Sequence, residues 1–173
     1  MHYNLDKTAQ NVVQLLREKK LTLCTAESCT GGLLSGAVTA IAGSSEVFNL
    51  GIVAYANEIK EKMLGVKPET LEIHGAVSAE CAAEMAAGAR KLAKNSPPWR
   101  GGREADGVVG ISITGIAGPG GGTPQKPVGT VYFACTCEEK TNILHLQINS
   151  DNREYIRLES VRQALILILN TIL

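Results

Sequence analysis

Aromatic side chains are scarce in this chain: two Phe, four Tyr and one Trp, 4% of 173 residues. That leaves little with which to stack nucleobases. Charge of one sign is also lacking, since 17 Lys plus Arg face 17 Asp plus Glu. The basic footprint of a nucleic-acid binder is therefore missing. No apolar run reaches the roughly 18 residues of a membrane span. The opening Met1-His2-Tyr3-Asn4-Leu5-Asp6 is not the start of a signal peptide. A cytoplasmic protein with neither nucleic acid nor membrane as partner is expected. The five cysteines, Cys24, Cys29, Cys81, Cys135 and Cys137, are odd in number and form no C-x-x-C pair. This argues against a disulfide framework or a zinc site and for reduced thiols used as small core residues. Histidine is rare too, and His2, His74 and His145 all lie away from the three chemistry-bearing segments described below.

What is present is an ordinary globular balance, 45% hydrophobic and 20% charged. The length suits one domain, 1–173, with a full core. Apolar residues at helical spacing predict a helix from Leu5 to Lys20. A strand at Leu21–Cys24 follows, then a helix opening near Thr30 and running from Leu33 to Ala42. A strand is predicted from Val47 to Ala56. Asn57 is read as the cap of a helix from Glu58 to Leu64. A short helical piece, Lys67 to His74, ends at Gly75, and Ser78 opens a helix from Ala79 to Lys94. Asn95 to Asp106 reads as an exposed loop. Strands are predicted at Gly107–Thr114, Val128–Thr136 and Asn142–Asn149, the last two as a hairpin, because Cys137 to Thr141 is too short for a parallel crossover. Ser150-Asp151-Asn152 caps a final helix from Arg153 to about Ile172. The interleaving predicts an α/β fold: a three-layer α/β/α sandwich with a mixed, mostly parallel sheet.

Three segments carry chemistry. Thr25-Ala26-Glu27-Ser28-Cys29-Thr30-Gly31-Gly32 places hydroxyls at a strand-to-helix turn, beside amides suited to an oxyanion or a phosphate. Ser28 is either a nucleophile or a helix cap, and Cys29 is a rival nucleophile. The second segment, Tyr55-Ala-Asn-Glu-Ile-Lys60, offers Lys60 as the base that a serine requires, provided burial or positive neighbours lower its pKa. The third is glycine-rich. Gly115, Gly118, Gly120, Gly121 and Gly122 follow a buried strand, with Thr114, Thr123 and Lys126 nearby. Such a loop is either an anion nest beyond a sheet edge or a long surface turn. It has the spacing of neither a P-loop nor a dinucleotide fingerprint. Arg153, a cation at a helix start, is either a ligand-holding residue or a surface arginine. Arg157 and Arg162 read as solvated.

These segments, with His74-Gly-Ala-Val-Ser78 and Lys126-Pro-Val-Gly-Thr-Val131, together resemble the C-terminal domain of the CinA (competence/damage-inducible) family over nearly the whole chain. The resemblance implies a metal-free, cofactor-free amidase that hydrolyses nicotinamide mononucleotide to nicotinate mononucleotide and ammonia. It implies Ser28 as nucleophile, Lys60 as base and Tyr55 assisting proton transfer. Glu27, Thr30, Gly31, Gly32, Thr114, Gly115, Gly118, Gly121, Gly122, Thr123 and Arg153 would line the substrate site. Backbone amides from Thr30 to Gly32 are the candidate oxyanion donors. Two departures stand out: Asp151-Asn152 replaces the family's Gly-Asp before the arginine, and residues 95–104 read as a surface insertion. The N-terminal domain of many members has no counterpart in this sequence, which reads as either a stand-alone amidase or an excised domain, Met1 and the first helix favouring the former; a homo-oligomer is expected. A non-catalytic nucleotide-binding module and a competence- or damage-associated interaction protein are the alternatives.

Overall fold

The computed structural model describes residues 5–95 and 106–173. Its elements run in chain order as α1 (Leu5–Glu18), β1 (Leu21–Glu27), α2 (Leu33–Thr39), β2 (Phe48–Val53), α3 (Asn57–Leu64), α4 (Pro68–Ile73), α5 (Ala79–Asn95), β3 (Gly107–Gly115), β4 (Thr130–Cys137), β5 (Lys140–Gln147) and α6 (Arg153–Ile172). A single 3₁₀ turn, Ser44–Glu46, leads into β2. The expected insertion at 95–104 lies outside the described residues except for Asn95, which ends α5.

The five strands lie in the order β2-β1-β3-β4-β5. β1 pairs in parallel with β2 and β3, whereas β4 runs antiparallel to both β3 and β5. The short turn after Cys137 makes β4 and β5 the expected hairpin. Alternation along the strands sorts the core into two layers. Leu23, Val109, Ile111, Ile113 and Phe133 face α1, α2 and α6, where they meet Leu16, Leu34, Ile156 and Leu165. Cys24, Ala26 and Val108 face the other way, toward Met85 and Ala89 of α5 and Leu64 of α3. The result is the predicted three-layer sandwich.

Close approach of backbones sets the second layer. A Cβ at Gly88 of α5 would come within 1.8 Å of the Leu64 carbonyl oxygen, so only glycine lets α3 pack there. The position of α3 matters because it carries Lys60.

Several boundaries differ from the sequence reading. β1 continues past Cys24 to Glu27, because Thr25, Ala26 and Glu27 are also buried. Ala56, not Asn57, is the cap residue of α3, and no side chain satisfies that helix start. α2 begins after Gly32, whose φ of 95° needs a residue without a Cβ, so Thr30 is not its cap residue. The cap of α6 is as expected: the Asn152 side chain accepts a hydrogen bond from the Tyr155 amide at 3.0 Å.

Candidate active site

The chain leaves β1 and moves to β2 on one side of it, then returns to β3 on the other. In open α/β sheets the crevice at such a switch, beyond the strand carboxyl ends, is where ligands sit. Here Glu27 pairs with Val53 of β2 and with Ile113 of β3. One residue further, the Ser28 amide donates to the Ile113 carbonyl at 3.0 Å, and the Ala54 amide donates to the Glu27 carbonyl at 2.8 Å. The Ser28 turn, the Ala54–Tyr55 segment and the loop after Gly115 therefore open from one edge.

Successive side chains point to opposite faces, so Glu27 and Ser28 part company. Glu27 turns toward α2. Its fully buried carboxylate accepts the amides of Gly32 (3.0 Å), Leu34 (3.0 Å) and Ser35 (2.8 Å), with the hydroxyls of Thr30 (2.7 Å) and Ser35 (2.6 Å). It is the cap of α2, supplied from the preceding strand. Glu27 and Thr30, expected to line the substrate site, spend these side-chain groups on the helix start: the carboxylate is saturated and the Thr30 hydroxyl donates to it.

Ser28 is half-buried and faces α3. The Lys60 ammonium lies 3.2 Å from Ser28 Oγ, 2.9 Å from the Ala54 carbonyl and 3.5 Å from the Tyr55 carbonyl. Lys60 is only 1% exposed, and no carboxylate is among these partners. Burial pulls its pKa below the ordinary 10.5, against a smaller opposing influence of Cys81, Cys29 and Glu58. A buried lysine on a serine hydroxyl is the arrangement the sequence reading asked for. Cys29 is different. Its side chain packs into the core against α2 and α6, and burial raises its thiol to about 12. A thiol so placed is a poor thiolate nucleophile.

Across the edge, Arg153 at the first turn of α6 donates to the Gly118 carbonyl and lies 3.4 Å from the Tyr55 hydroxyl. The glycine loop, Tyr55 and Arg153 are thus neighbours, which sequence spacing did not reveal. The Tyr55 hydroxyl is held toward Arg153, while its backbone carbonyl faces Lys60. Thr114 is buried and donates to the Ala76 carbonyl at 2.7 Å, so its hydroxyl braces the 74–78 loop. The Thr123 hydroxyl accepts from the Lys126 amide at 3.0 Å and closes the exposed end of the glycine loop. Lys126 reaches the His74 carbonyl at 2.6 Å, tying the same two loops together. Gly118 and Gly121 have φ of 77° and 85°, which accounts for glycine at both. Gly115 lies against Thr130 and Val131 of β4 and Gly122 against Val128, so both allow the loop to fold back tightly on the chain that follows it.

The turn differs from the sequence reading at two points. The Gly31 amide donates to the Ser28 carbonyl at 3.1 Å and that of Gly32 to Glu27. Among the described residues, no other residue accepts from the amides of Cys29 and Thr30. These two, rather than Gly31 and Gly32, are left for a ligand. Arg157, read as solvated, instead donates to the carbonyls of Cys29 (3.1 Å) and Thr30 (2.7 Å). Its one sequence signal was position: four residues after Arg153, it shares a helix face with it.

Residues 5–172 match the family model for the CinA C-terminal domain. A relative described as a putative competence-damage inducible protein, from Caldanaerobacter subterraneus, is 51% identical over 153 residues, 88% of this chain and 34% of its own length. The chain thus spans about a third of the curated relatives it matches. Solved structures are similar over nearly their whole length. A competence/damage inducible protein from Agrobacterium tumefaciens has 40% identity and a TM-score of 0.82, covering 97% of this chain and 95% of that one. A CinA superfamily protein from Klebsiella pneumoniae has 32% identity and a TM-score of 0.86, covering 98% of each.

Proposed function

The chain belongs to the CinA C-terminal domain family, and from that premise we propose that it is a serine amidohydrolase. Its substrate in this reading is nicotinamide mononucleotide, which it converts to nicotinate mononucleotide and ammonia in pyridine nucleotide recycling. The observation that carries the proposal is Lys60 Nζ at 3.2 Å from Ser28 Oγ, in a site that dries the lysine.

Neutral Lys60 takes the proton from Ser28 as Oγ attacks the carboxamide carbon. Negative charge develops on the former carbonyl oxygen and is met by backbone amide hydrogens of the turn. The tetrahedral intermediate collapses as Lys60 returns the proton to the departing nitrogen, releasing ammonia. A water molecule, deprotonated in its turn by Lys60, attacks the acyl-serine ester and frees the carboxylate. The glycine loop, Thr123 and Arg153 border the side of the edge where a phosphorylated substrate would extend. Arg153 sits beside Tyr55, so a Tyr55→Phe variant separates proton relay from simple contact: relay predicts a loss in kcat, contact a rise in KM.

The test is ammonia release from nicotinamide mononucleotide. Wild type is expected to turn over with or without a chelator, and Ser28→Ala is expected to lose at least about 10³-fold. Ammonia release at the wild-type rate from that variant would sink the serine mechanism. No turnover by wild type at high enzyme concentration would favour the nucleotide-binding module instead.

A further inference from the structure

A peptide unit is planar and trans, so the carbonyl of one residue and the amide hydrogen of the next point in opposite directions. Whatever holds one end therefore aims the other. In the Ser28 turn the carbonyls of Cys29 and Thr30 both accept from one guanidinium, Nε and Nη2 of Arg157, at 3.1 and 2.7 Å. Cys29 O belongs to the same peptide plane as the Thr30 amide. Thr30 O belongs to the same plane as the Gly31 amide, which closes on the Ser28 carbonyl.

Apart from the Cys29 amide, the remaining amides nearby are committed. Glu27 takes those of Gly32, Leu34 and Ser35, so α2 itself has none to offer from these positions. The Thr30 side chain cannot compete for the Arg157 side of the turn, because its hydroxyl is anchored on Glu27 at 2.7 Å. The turn is thus gripped from two sides: a carboxylate on its donors and a guanidinium on its acceptors. Arg157 lies so close that a Cβ at Gly31 would come within 3.3 Å of its Nη2.

We infer that Arg157 is a positioning residue for the Ser28 chemistry. By drawing the Cys29 carbonyl to itself, it holds the Thr30 amide turned the opposite way, as a fixed donor to the oxygen that becomes negative during attack on the amide. It touches neither substrate nor Ser28 Oγ in this role. The inference rests on the serine amidase reading and adds to it the device that keeps the donor preorganised. Without the guanidinium, the Cys29 carbonyl has no other donor among the described residues, and its peptide keeps only the closure of the turn from Gly31 to Ser28.

The experiment is steady-state hydrolysis of nicotinamide mononucleotide by Arg157→Ala and Arg157→Lys, each checked by thermal melting. Losing one oxyanion donor typically lowers kcat by about 10²–10³-fold. Arg157→Ala is expected to lose about that much in kcat, with KM within about twofold of wild type. Its acid limb against pH should stay in place, since Lys60 is unaltered. Added guanidinium ion should restore part of the rate to Arg157→Ala and none to Ser28→Ala. Arg157→Lys, able to reach one carbonyl, should fall between. If Arg157→Ala does not fold, Arg157→Lys carries the same kcat-against-KM and pH comparison. A rise in KM at unchanged kcat, a displaced acid limb, or full activity would each overturn the positioning role. Full activity in Ser28→Ala, by contrast, would overturn the serine mechanism on which it stands.

Discussion

Lys60 must hold a proton loosely to serve as a base, and its surroundings see to that. It sits at 1% exposure with a serine hydroxyl and two backbone carbonyls as partners. Burial is the main cause of its lowered pKa. Two outcomes follow. Activity is expected to fall as pH drops, along an acid limb with its midpoint below the ordinary lysine value of 10.5. Lys60→Met is expected to lose about 10²–10⁴-fold in kcat, the usual reach of general base catalysis. Stability should move the same way. Below the lowered folded pKa, both folded and unfolded chains carry the charge, and the full cost of burying it is present. Between that value and 10.5 the unfolded chain binds more protons, so stability rises with pH, and above 10.5 the cost is gone. Lys60→Met should therefore be more stable than wild type near neutral pH, by a margin that shrinks as pH rises; urea melts at several pH values check this. Glu27 makes the opposite case. Its five hydrogen bonds hold the start of α2. Glu27→Gln turns one acceptor into a donor facing donors, and is expected to cost about 1–3 kcal/mol in urea unfolding.

Among the elements, α3 is the one whose placement decides the chemistry. It brings Lys60 to Ser28 only because Gly88 of α5 lets the Leu64 backbone come close. Gly88→Ala is expected to push α3 outward, costing about 1–3 kcal/mol as an overpacked contact and lowering kcat by more than that stability loss explains. Kinetics at a temperature where the variant is fully folded separates the two. Element existence was legible in the sequence because apolar period and breakers agree. Leu5–Glu18 shows helical spacing, and Gly43, Gly75 and the 138–139 turn punctuate the chain. Boundaries failed where a partner outside the element decided them. β1 runs on to Glu27 because that carboxylate is buried on α2, a contact eight residues away. Asn57 looked like a cap, yet Ala56 holds the extended conformation that precedes α3.

At the scale of the whole molecule, the sheet order gathers three loops from distant parts of the chain. Tyr55 and Arg153, 98 residues apart, lie 3.4 Å from each other, and Arg157 reaches a carbonyl 128 residues away. Among the described residues no helix is long and apolar enough to cross a membrane. Self-association remains a proposal, and light scattering tests it: a mass well above 18.3 kDa is expected.

By itself the sequence determined which residues carry the candidate chemistry and which elements bear them. Ser28 on a strand-to-helix turn, Lys60 on a helix and a glycine loop after a strand are local patterns, and local backbone preference and apolar period are written in consecutive residues. Only the tertiary structure decided what each polar group faces. Glu27 became a helix cap, Thr114 a brace for the 74–78 loop, and Arg157 a clamp on the Ser28 turn, because hydrogen bonds in a dry interior are satisfied by whichever partner folding brings near.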